Sequence, residues 1–306
     1  ESFDQQYAAI QLHLAKNSPE ILLSIPDWLH KYGMEQLPDR WMDEMTAMHG
    51  QAPVFVRVNT LKSSPKELIR SLRQNDIEAK QSTVVQNALE IMGRPNLFRT
   101  EAFKEGAFEV QDISSQMATL ALDPKPGERV IDACAGAGGK SLHIAMQMEN
   151  KGHLISMDTE IKKLETLRQR ARRAGISNLE TRAIESSKTI KRLANSADRL
   201  ILDVPCTGSG VYRRNPDAKY RLSPEFVQNI LQVQSSILND YGKMLKPGGI
   251  MVYATCSLFP DENERQVESF MAKNAETFEL ISSQSISTAA TGQDGFFIAK
   301  FKKLGK

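Results

Sequence analysis

The sequence predicts an α/β fold, in which an open and mostly parallel sheet carries helices on both faces and follows a smaller α+β domain. From Asp112 onward, short apolar runs alternate with stretches of helical periodicity, a pattern typical of parallel strands joined by crossover helices. A glycine-rich turn over 134–141 follows the first of these runs. Before it, the order is strand, helix, strand. We therefore expect a helical segment at 1–52, a small domain at 53–111 and a larger domain at 112–306.

The composition is that of a well-packed globular chain. Of the 306 residues, 41% are apolar and 25% are charged, which excludes disordered and collagen-like proteins. No apolar run approaches the ~18 residues of a membrane span, and the first residues lack the pattern of a secretory signal. Three cysteines, at 134, 206 and 256, fit neither a disulfide framework nor a zinc site. We expect a cytoplasmic, monomeric protein without a bound metal, and its formal net charge of +2 leaves the partner open.

The elements of the first third follow from β-branched runs and helix breakers. In order, they are a helical segment over 3–48 broken at Pro26 and Pro38, a strand at Val54–Val58, a helix over 66–75 capped by the residues 63–65, a strand at 88–92, and a domain end near Phe108–Val110.

The larger domain has more regular elements. Strands are predicted at 129–133, His153–Asp158, 179–184, 200–204, 250–256 and 294–302, and helices at 140–147, 160–174, 224–245 and 260–273. The Lys-Pro-Gly-Gly string at 246–249 is expected to end a helix and start a strand, and the Ser/Thr/Ala-rich segment 281–291 is expected to be a loop.

The segment 132–141 reads Asp-Ala-Cys-Ala-Gly-Ala-Gly-Gly-Lys-Ser and stands where a strand ends and a helix begins. In an open α/β sheet this edge binds ligands, and the free amides of the helix start favour an anionic group. A dinucleotide fingerprint fails because Ser141 stands where a third Gly or Ala is needed. A phosphate-binding P-loop fits Gly139, Lys140 and Ser141 but not Cys134, so a P-loop phosphotransferase is the main alternative.

Asp158 ends the second predicted strand of the larger domain. An acidic residue at this place suits S-adenosylmethionine, because its carboxylate can accept hydrogen bonds from both ribose hydroxyls, whereas a P-loop protein has no use for it. The alternative is that Asp158 caps the helix that starts near Glu160. Together with the glycine turn and the strand pattern, Asp158 favours a methyl-donor site.

Cys206 and Cys256 follow the fourth and fifth predicted strands of the larger domain. Carboxyl ends of parallel strands share one sheet edge, so two thiols are expected beside the cofactor, while Cys134 is interpreted as a small apolar residue of the turn. A thiol pair next to a methyl donor suits methylation at carbon 5 of a pyrimidine, since a thiolate that adds to carbon 6 makes carbon 5 nucleophilic. Asp203 could bond ring nitrogen 3 or the exocyclic amine. This chemistry does not decide which cysteine attacks.

These strings closely resemble the Sun-type (NOP/Sun) family of RNA (cytosine-5) methyltransferases. The similarity lies in the segments 56–62, 110–116, 134–140, 203–210, 253–257, 260–264 and 294–300. Two departures stand out. Gly136 and Ala137 replace the Ala and Pro that are usual in the family's turn, and no Asp follows the third strand, where relatives use one to hold the adenine amine.

The resemblance implies a Rossmann-like class I S-adenosylmethionine methyltransferase domain with a small N-terminal RNA-binding domain like an RNA-recognition motif. It implies methylation of carbon 5 of a cytosine in RNA, with ribosomal RNA as the favoured substrate and transfer RNA as the alternative. It makes Cys256 the nucleophile and Cys206 the residue that assists release. The implied cofactor site comprises Cys134, Ala135, Gly136, Ala137, Gly138, Gly139, Lys140, Asp158, Lys163 and Asp203, with Glu185 standing in for the missing Asp.

A basic, partly aromatic segment follows Cys206 and is predicted to contact RNA phosphates and a splayed base. It contains Tyr212, Arg213, Arg214, Lys219 and Arg221. The basic run over 162–173 is more typical of a solvated helix face. A non-catalytic RNA-binding assembly factor with the same fold is the alternative from another functional class.

Overall fold

The computed structural model of the chain describes residues 2–305 and contains two sheets. Four helices precede them, at Phe3–Asn17 (α1), Pro19–Leu22 (α2), Asp27–Gln36 (α3) and Trp41–His49 (α4). The helical prediction for this segment is confirmed. Pro26 precedes α3 and Pro38 separates α3 from α4, because proline cannot continue a helix from within. Trp41 is fully buried and stacks on Phe259, which joins the segment to the larger sheet's loops.

The smaller sheet has the order of a ferredoxin-like fold. Its strands are β1 (Val54–Val58), β2 (Ala79–Gln81), β3 (Ala88–Ile91) and β4 (Phe108–Val110), which lie antiparallel in the order β2-β3-β1-β4. Helices α5 (Pro65–Arg73) and α6 (Glu101–Lys104), with a 3-10 turn at Leu97–Arg99, complete it. Ser64 and Glu67 cap α5 reciprocally. Apolar residues of both helices and of the sheet form one buried cluster, which confirms the small α+β fold.

Residues on the other face of the smaller sheet contact two helices of the larger domain. Arg57 on β1 is buried and donates a hydrogen bond to the Gly139 carbonyl at 2.8 Å. Glu109 on β4 is buried and forms ion pairs with Arg170, at 2.9 Å, and with Arg173. Alternate residues of a strand point to opposite faces, so each strand supplies both the domain core and this contact.

The larger sheet has seven strands. They are β5 (Arg129–Asp132), β6 (His153–Asp158), β7 (Leu179–Ala183), β8 (Ala197–Asp203), β9 (Leu245–Thr255), β10 (Phe278–Ile286) and β11 (Phe296–Lys303). The helices are α7 (Ile113–Leu122), α8 (Gly139–Gln147), α9 (Ile161–Ala174), α10 (Ser187–Lys191), α11 (Ala218–Arg221), α12 (Pro224–Tyr241), α13 (Glu264–Asn274) and α14 (Thr288–Thr291). Short 3-10 turns lie at Ser209–Val211, Gly242–Met244 and Pro260–Glu262.

The strand order is β10-β11-β9-β8-β5-β6-β7. Strands β5 to β9 are parallel, whereas β11 pairs antiparallel with β9 and β10 pairs antiparallel with β11. The chain order reverses between β5 and β8, which makes their carboxyl ends the topological switch point where such sheets bind ligands. The Rossmann-like α/β prediction is confirmed.

Both faces of the larger sheet are covered. Ile131, Leu200 and Tyr253 belong to a buried cluster on one face, while Val130 and Ile201 belong to the cluster on the other. A strand that is buried on both faces has a continuous run of apolar residues, and such runs made these strands recognisable in the sequence.

Three predictions for the larger domain were wrong. Segment 281–291 is not a loop, since most of it lies in β10 and α14. The long helix ends at Tyr241, and the Lys-Pro-Gly-Gly string lies inside β9. Residues 260–262 form a 3-10 turn, so the helix that follows starts at Glu264. Over residues 2–305, no helix is long and apolar enough to cross a membrane.

Candidate active site

The glycine turn connects β5 to α8 through two left-handed residues. Gly136 has a φ of +53° and Gly138 a φ of +90°, values that L side chains rarely adopt. A Cβ on Gly138 would lie 2.5 Å from Leu167 Cγ, so this glycine also allows α9 to approach the turn. A Cβ on Gly136 would meet no atom within 4 Å. Gly136 therefore presents bare backbone to open space at the end of β5.

Asp158, at the end of β6, bonds two backbone amides. Its Oδ2 accepts from the Gly136 amide at 2.8 Å, and its Oδ1 accepts from the Glu160 amide at 2.8 Å. The second bond is the local role expected of a residue before a helix. The first ties Asp158 to the glycine turn, and the carboxylate still borders the space beside it.

A cleft of about 790 Å³ opens beside these residues. It is lined by predicted site residues, which are Cys134, Gly136, Asp158, Lys163 and Asp203. Its volume is within the range of small-molecule sites. The mixture of bare backbone at Gly136, the carboxylate of Asp158 and the apolar Ile184 suits a nucleoside such as the adenosine part of S-adenosylmethionine.

The opposite wall of the cleft comes from α12, which the sequence analysis did not assign to a site. Its contributing residues are Asn229, Gln232, Val233, Ser236, Ile237, Asp240 and Tyr241. The four polar residues recur at helical spacing on one face, and such a row reads as a solvated surface when only the sequence is known. Their place opposite the glycine turn becomes visible only from the sheet topology.

Two predicted cofactor residues lie elsewhere. Glu185 is exposed and does not line the cleft, so its substitution for the family's Asp gains no support. Lys140 is buried and lines a second cavity instead. The remaining residues of the turn, Ala135, Ala137, Gly138 and Gly139, shape its backbone without lining the cleft.

The second cavity, here called the cysteine cavity, has a volume of about 230 Å³. It is lined by Asp112, Ser115, Lys140, Asp203, Val211, Cys256, Asp294 and Phe296. Lys140 Nζ lies 2.6 Å from Asp203 Oδ2. Asp203 lines both the cleft and the cysteine cavity, so its carboxylate stands at the boundary between them.

The two cysteines predicted at one sheet edge do meet. Cys206 Sγ lies 3.3 Å from Cys256 Sγ, and the Gly210 amide donates to the Cys256 carbonyl at 2.9 Å. The hydrogen bond with Cys256, together with burial, raises the pKa of the Cys206 thiol well above its ordinary value. Cys206 therefore keeps its proton at neutral pH.

A buried carboxylate, Glu262, holds the two cysteine loops together. Its oxygens accept hydrogen bonds from the Thr207 amide at 2.9 Å, from the Thr207 hydroxyl and the Ser257 hydroxyl at 2.5 Å each, and from Gln234 Nε2 at 2.9 Å. Thr207 follows Cys206 and Ser257 follows Cys256, so one side chain fixes both loops. Sequence reasoning missed this role because Glu262 and its partner Thr207 lie 55 positions apart.

Comparison with known proteins gives a family. The profile described as 16S rRNA methyltransferase RsmB/F matches residues 119–302, and a ferredoxin-like domain profile of RsmF/B-like methyltransferases matches residues 25–97. The probable ribosomal RNA small subunit methyltransferase B of Bacillus subtilis (strain 168) is 31% identical over 300 residues, which cover 92% of this chain and 67% of that protein. The chain belongs to the RsmB/F methyltransferase family.

Two solved structures share the fold of this chain. The crystal structure of PH0851 has a TM-score of 0.89 at 31% identity and covers 94% of this chain and 68% of its own. NSun6 from Pyrococcus horikoshii shares the fold, with a TM-score of 0.84 at 21% identity over 92% of this chain and 99% of its own. The family is S-adenosylmethionine-dependent and methylates RNA, which confirms the cofactor prediction. The chain spans about two thirds of the length of its Bacillus relative.

The contacts of Lys140 and Ser141 argue against the P-loop alternative. Ser141 is fully buried and donates to Asp132 Oδ2 at 2.6 Å, while Lys140 is paired with Asp203. A P-loop needs this Lys for phosphate and this hydroxyl for magnesium. Burial raises the pKa of Asp132 to about 7, although the bond from Ser141 opposes that shift.

Two arginines of the basic segment after Cys206 form ion pairs within the protein. Arg213 is paired with Asp294 at 2.9 Å, and Arg214 is paired with Asp294 at 2.5 Å and with Asp112 at 3.0 Å. These two guanidinium groups pair with two of the carboxylates of the cysteine cavity, so the prediction that they contact RNA phosphates loses support. On α9, Arg170 and Arg173 are occupied by the Glu109 pairs described above.

Proposed function

We propose that the protein transfers the methyl group of S-adenosylmethionine to carbon 5 of a cytosine in ribosomal RNA through a covalent cysteine adduct. The observation that supports this most directly is the placement of Cys256, Asp203 and Lys140 around one cavity that adjoins the cofactor cleft. The cavity volume of about 230 Å³ suits a single pyrimidine ring rather than a helix of RNA. The target base must therefore be unpaired or flipped out of its helix.

Cys256 is the nucleophile. Its thiolate adds to carbon 6 of the cytosine, and the electron pair of the ring then allows carbon 5 to take the methyl group. S-adenosylmethionine supplies that methyl group in electrophilic form when it is bound. Loss of the carbon 5 proton to a base and cleavage of the bond between Cys256 and carbon 6 restore the aromatic ring. Cys256 lines the cysteine cavity and Cys206 does not, which favours Cys256 for the attack.

Asp203 and Lys140 act on the other side of the ring. Asp203 donates to nitrogen 3 in its protonated form, or accepts from the exocyclic amine in its ionised form, and so stabilises the charge that develops when the thiolate adds. Lys140, 2.6 Å from Asp203, holds that carboxylate in place. Cys206 assists collapse of the methylated adduct through acid/base action, for which its distance of 3.3 Å from Cys256 Sγ is suitable.

The test is transfer of labelled methyl from S-adenosylmethionine to bacterial RNA that lacks the modification, read by nucleoside mass spectrometry. We expect label in 5-methylcytidine with the wild type and none with Cys256→Ala. Cys206→Ala should accumulate a covalent protein–RNA adduct on a denaturing gel, and Cys134→Ala, the matched control for the third thiol, should not. Label in another nucleoside, or an adduct that persists in Cys256→Ala, would contradict the assignment. RNA binding without any methyl transfer would favour the assembly-factor alternative.

A further inference from the structure

A third cavity, here called the flank cavity, has no role in the proposed chemistry. Its volume is about 590 Å³, and it opens where three parts of the chain meet. Leu23 and Met48 come from the N-terminal helices, Arg94 from the smaller domain, and Lys219 and Tyr220 from the segment that follows the Cys206 loop. No residue of the predicted cofactor site or cysteine pair lines it.

The walls of the flank cavity hold two cations without acidic partners. Lys219 is 8% exposed, and its ammonium donates to the Leu23 carbonyl at 3.0 Å. Arg94 donates to the Ala52 carbonyl at 2.9 Å. Among residues 2–305, neither forms an ion pair with a carboxylate, and Asp217, which also lines the cavity, is paired with Arg221 at 2.8 Å. Lys219 Nζ also lies 5.7 Å from the centre of the Tyr220 ring. A nearly buried ammonium held by one carbonyl and one aromatic ring, with no carboxylate, is costly, and an anion would relieve that cost.

The same cavity offers apolar and aromatic surface. Met45 and Met48 are buried and line it. Tyr220 is 59% exposed, yet its hydroxyl donates to the Ser24 carbonyl at 2.7 Å. The ring is thus fixed while much of its surface remains open, which is what a base needs for stacking. Cations that can bind a phosphate, next to a fixed aromatic ring on which a base can stack, form a site that suits a nucleotide better than a small inorganic anion.

An ion pair connects the wall of the flank cavity to the wall of the cysteine cavity. Arg213 lines the flank cavity, and its Nε donates at 3.0 Å to Asp294, which lines the cysteine cavity. The two cavities are therefore neighbours, as sites for adjacent nucleotides of one RNA strand must be.

We infer that the flank cavity binds the RNA nucleotide adjacent to the target cytosine, with its phosphate at Lys219 and Arg94 and its base on Tyr220. This inference rests on the proposed function for the identity of the target, but not for the binding of RNA. It makes the N-terminal helices and the smaller domain joint contributors to recognition of a single-stranded flank.

The test measures binding of a short fluorescein-labelled single-stranded RNA by anisotropy, for the wild type and for Arg94→Ala, Tyr220→Ala, Tyr220→Phe and Arg99→Ala. We expect Tyr220→Ala to weaken binding by about five- to tenfold, and Tyr220→Phe, which keeps the ring, by much less. Arg94→Ala should weaken binding and reduce the salt slope by about 0.7. Arg99→Ala, an exposed cation of the same small domain outside the cavity, is the matched control. Calorimetry of S-adenosylmethionine binding shows that each variant is folded.

A second measurement uses the wild type and does not depend on any variant. RNA with 4-thiouridine next to the methylated cytosine should crosslink to the peptide containing Tyr220, and RNA with the label far from the site should not. Tyr220→Ala and Arg94→Ala that bind RNA like Arg99→Ala, or a crosslink elsewhere, would overturn the inference even if cytosine methylation is found. Weakened binding without any cytosine methylation would support the cavity and reject the proposed function instead.

Discussion

The cofactor cleft and the cysteine loops lie at the same sheet edge but are constructed differently. The cleft is defined by backbone at Gly136, the carboxylates of Asp158 and Asp203, and the exposed polar face of α12. The cysteine loops are fixed by buried side-chain hydrogen bonds to Glu262. Backbone contacts survive many side-chain changes, whereas a buried carboxylate with four bonds does not. We therefore expect substitutions to be tolerated on the cleft side and to be damaging on the cysteine side.

The largest effect is expected at Asp203, the residue that both sites share. Asp203→Asn keeps the shape but removes the charge that pairs with Lys140, so single-turnover methyl transfer should fall by about 100-fold or more. Calorimetry should show a much smaller change in S-adenosylmethionine affinity. A variant that loses the cofactor but methylates normally when saturated would place Asp203 on the cleft side alone.

Glu262→Gln tests the cysteine side directly. It removes the charge and turns one acceptor into a donor that faces other donors, so the free energy of unfolding should fall by about 2–4 kcal/mol in urea titrations. In the Cys206→Ala background it should also slow adduct formation, because the loops would no longer hold Cys256 in one position. Glu268→Gln, an exposed glutamate on α13, is the control. Equal stability and adduct rates for the two variants would show that Glu262 does not position the loops.

The sequence was informative where a pattern was local and failed where partners were distant. The ends of β5 to β8 were found within a few residues because each is a short apolar run followed by polar turn residues. Strand β10 was missed because seven of its nine residues are exposed, as expected of an edge strand, and their Ser-rich composition is typical of a loop. Cys206 and Cys256 were brought together by one topological rule, which requires no side-chain detail.

Other site residues could not be found from the chain alone. Gln232 and Ser236 belong to a helix face that appears solvated until the cleft forms beside it. Arg213 and Arg214 were predicted to be RNA contacts from their charge, but both pair with Asp294, which lies 81 and 80 positions away, respectively. Charge alone does not show whether a guanidinium group is already paired.

A smaller effect is expected on the cleft side. Gln232→Ala should raise the dissociation constant for S-adenosylmethionine by a few fold, about the value of one hydrogen bond, because the side chain lines the cleft. Glu185→Ala should leave that constant unchanged, since Glu185 lies outside the cleft. Calorimetric titrations of both variants with S-adenosylmethionine measure the two dissociation constants. A larger increase for Glu185→Ala than for Gln232→Ala would restore Glu185 as the adenine contact and remove α12 from the site.

The smallest effect is a pH dependence beneath the glycine turn. Burial raises the pKa of Asp132 to about 7, above its unfolded value of about 4. Between those values the folded chain holds a proton that the unfolded chain has released, so stability falls as pH rises through this window. From pH 6 to pH 7 the loss should be about 1 kcal/mol, and Asp132→Asn should abolish it. Urea titrations at several pH values measure the free energy of unfolding of the wild type and of Asp132→Asn. If this free energy changes with pH equally in the two proteins, Asp132 does not cause the dependence.

The contact between the smaller sheet and helices α8 and α9 has a consequence for the architecture as a whole. In an RNA-recognition motif the open face of the four-stranded sheet is a stacking surface for bases. Here Arg57 and Glu109 occupy that face with contacts to Gly139, Arg170 and Arg173. The smaller domain is thus not an interchangeable adaptor. It is a scaffold for the larger domain. A chimaera in which the smaller domain is replaced must therefore also replace the charged residues of the larger domain that this contact buries.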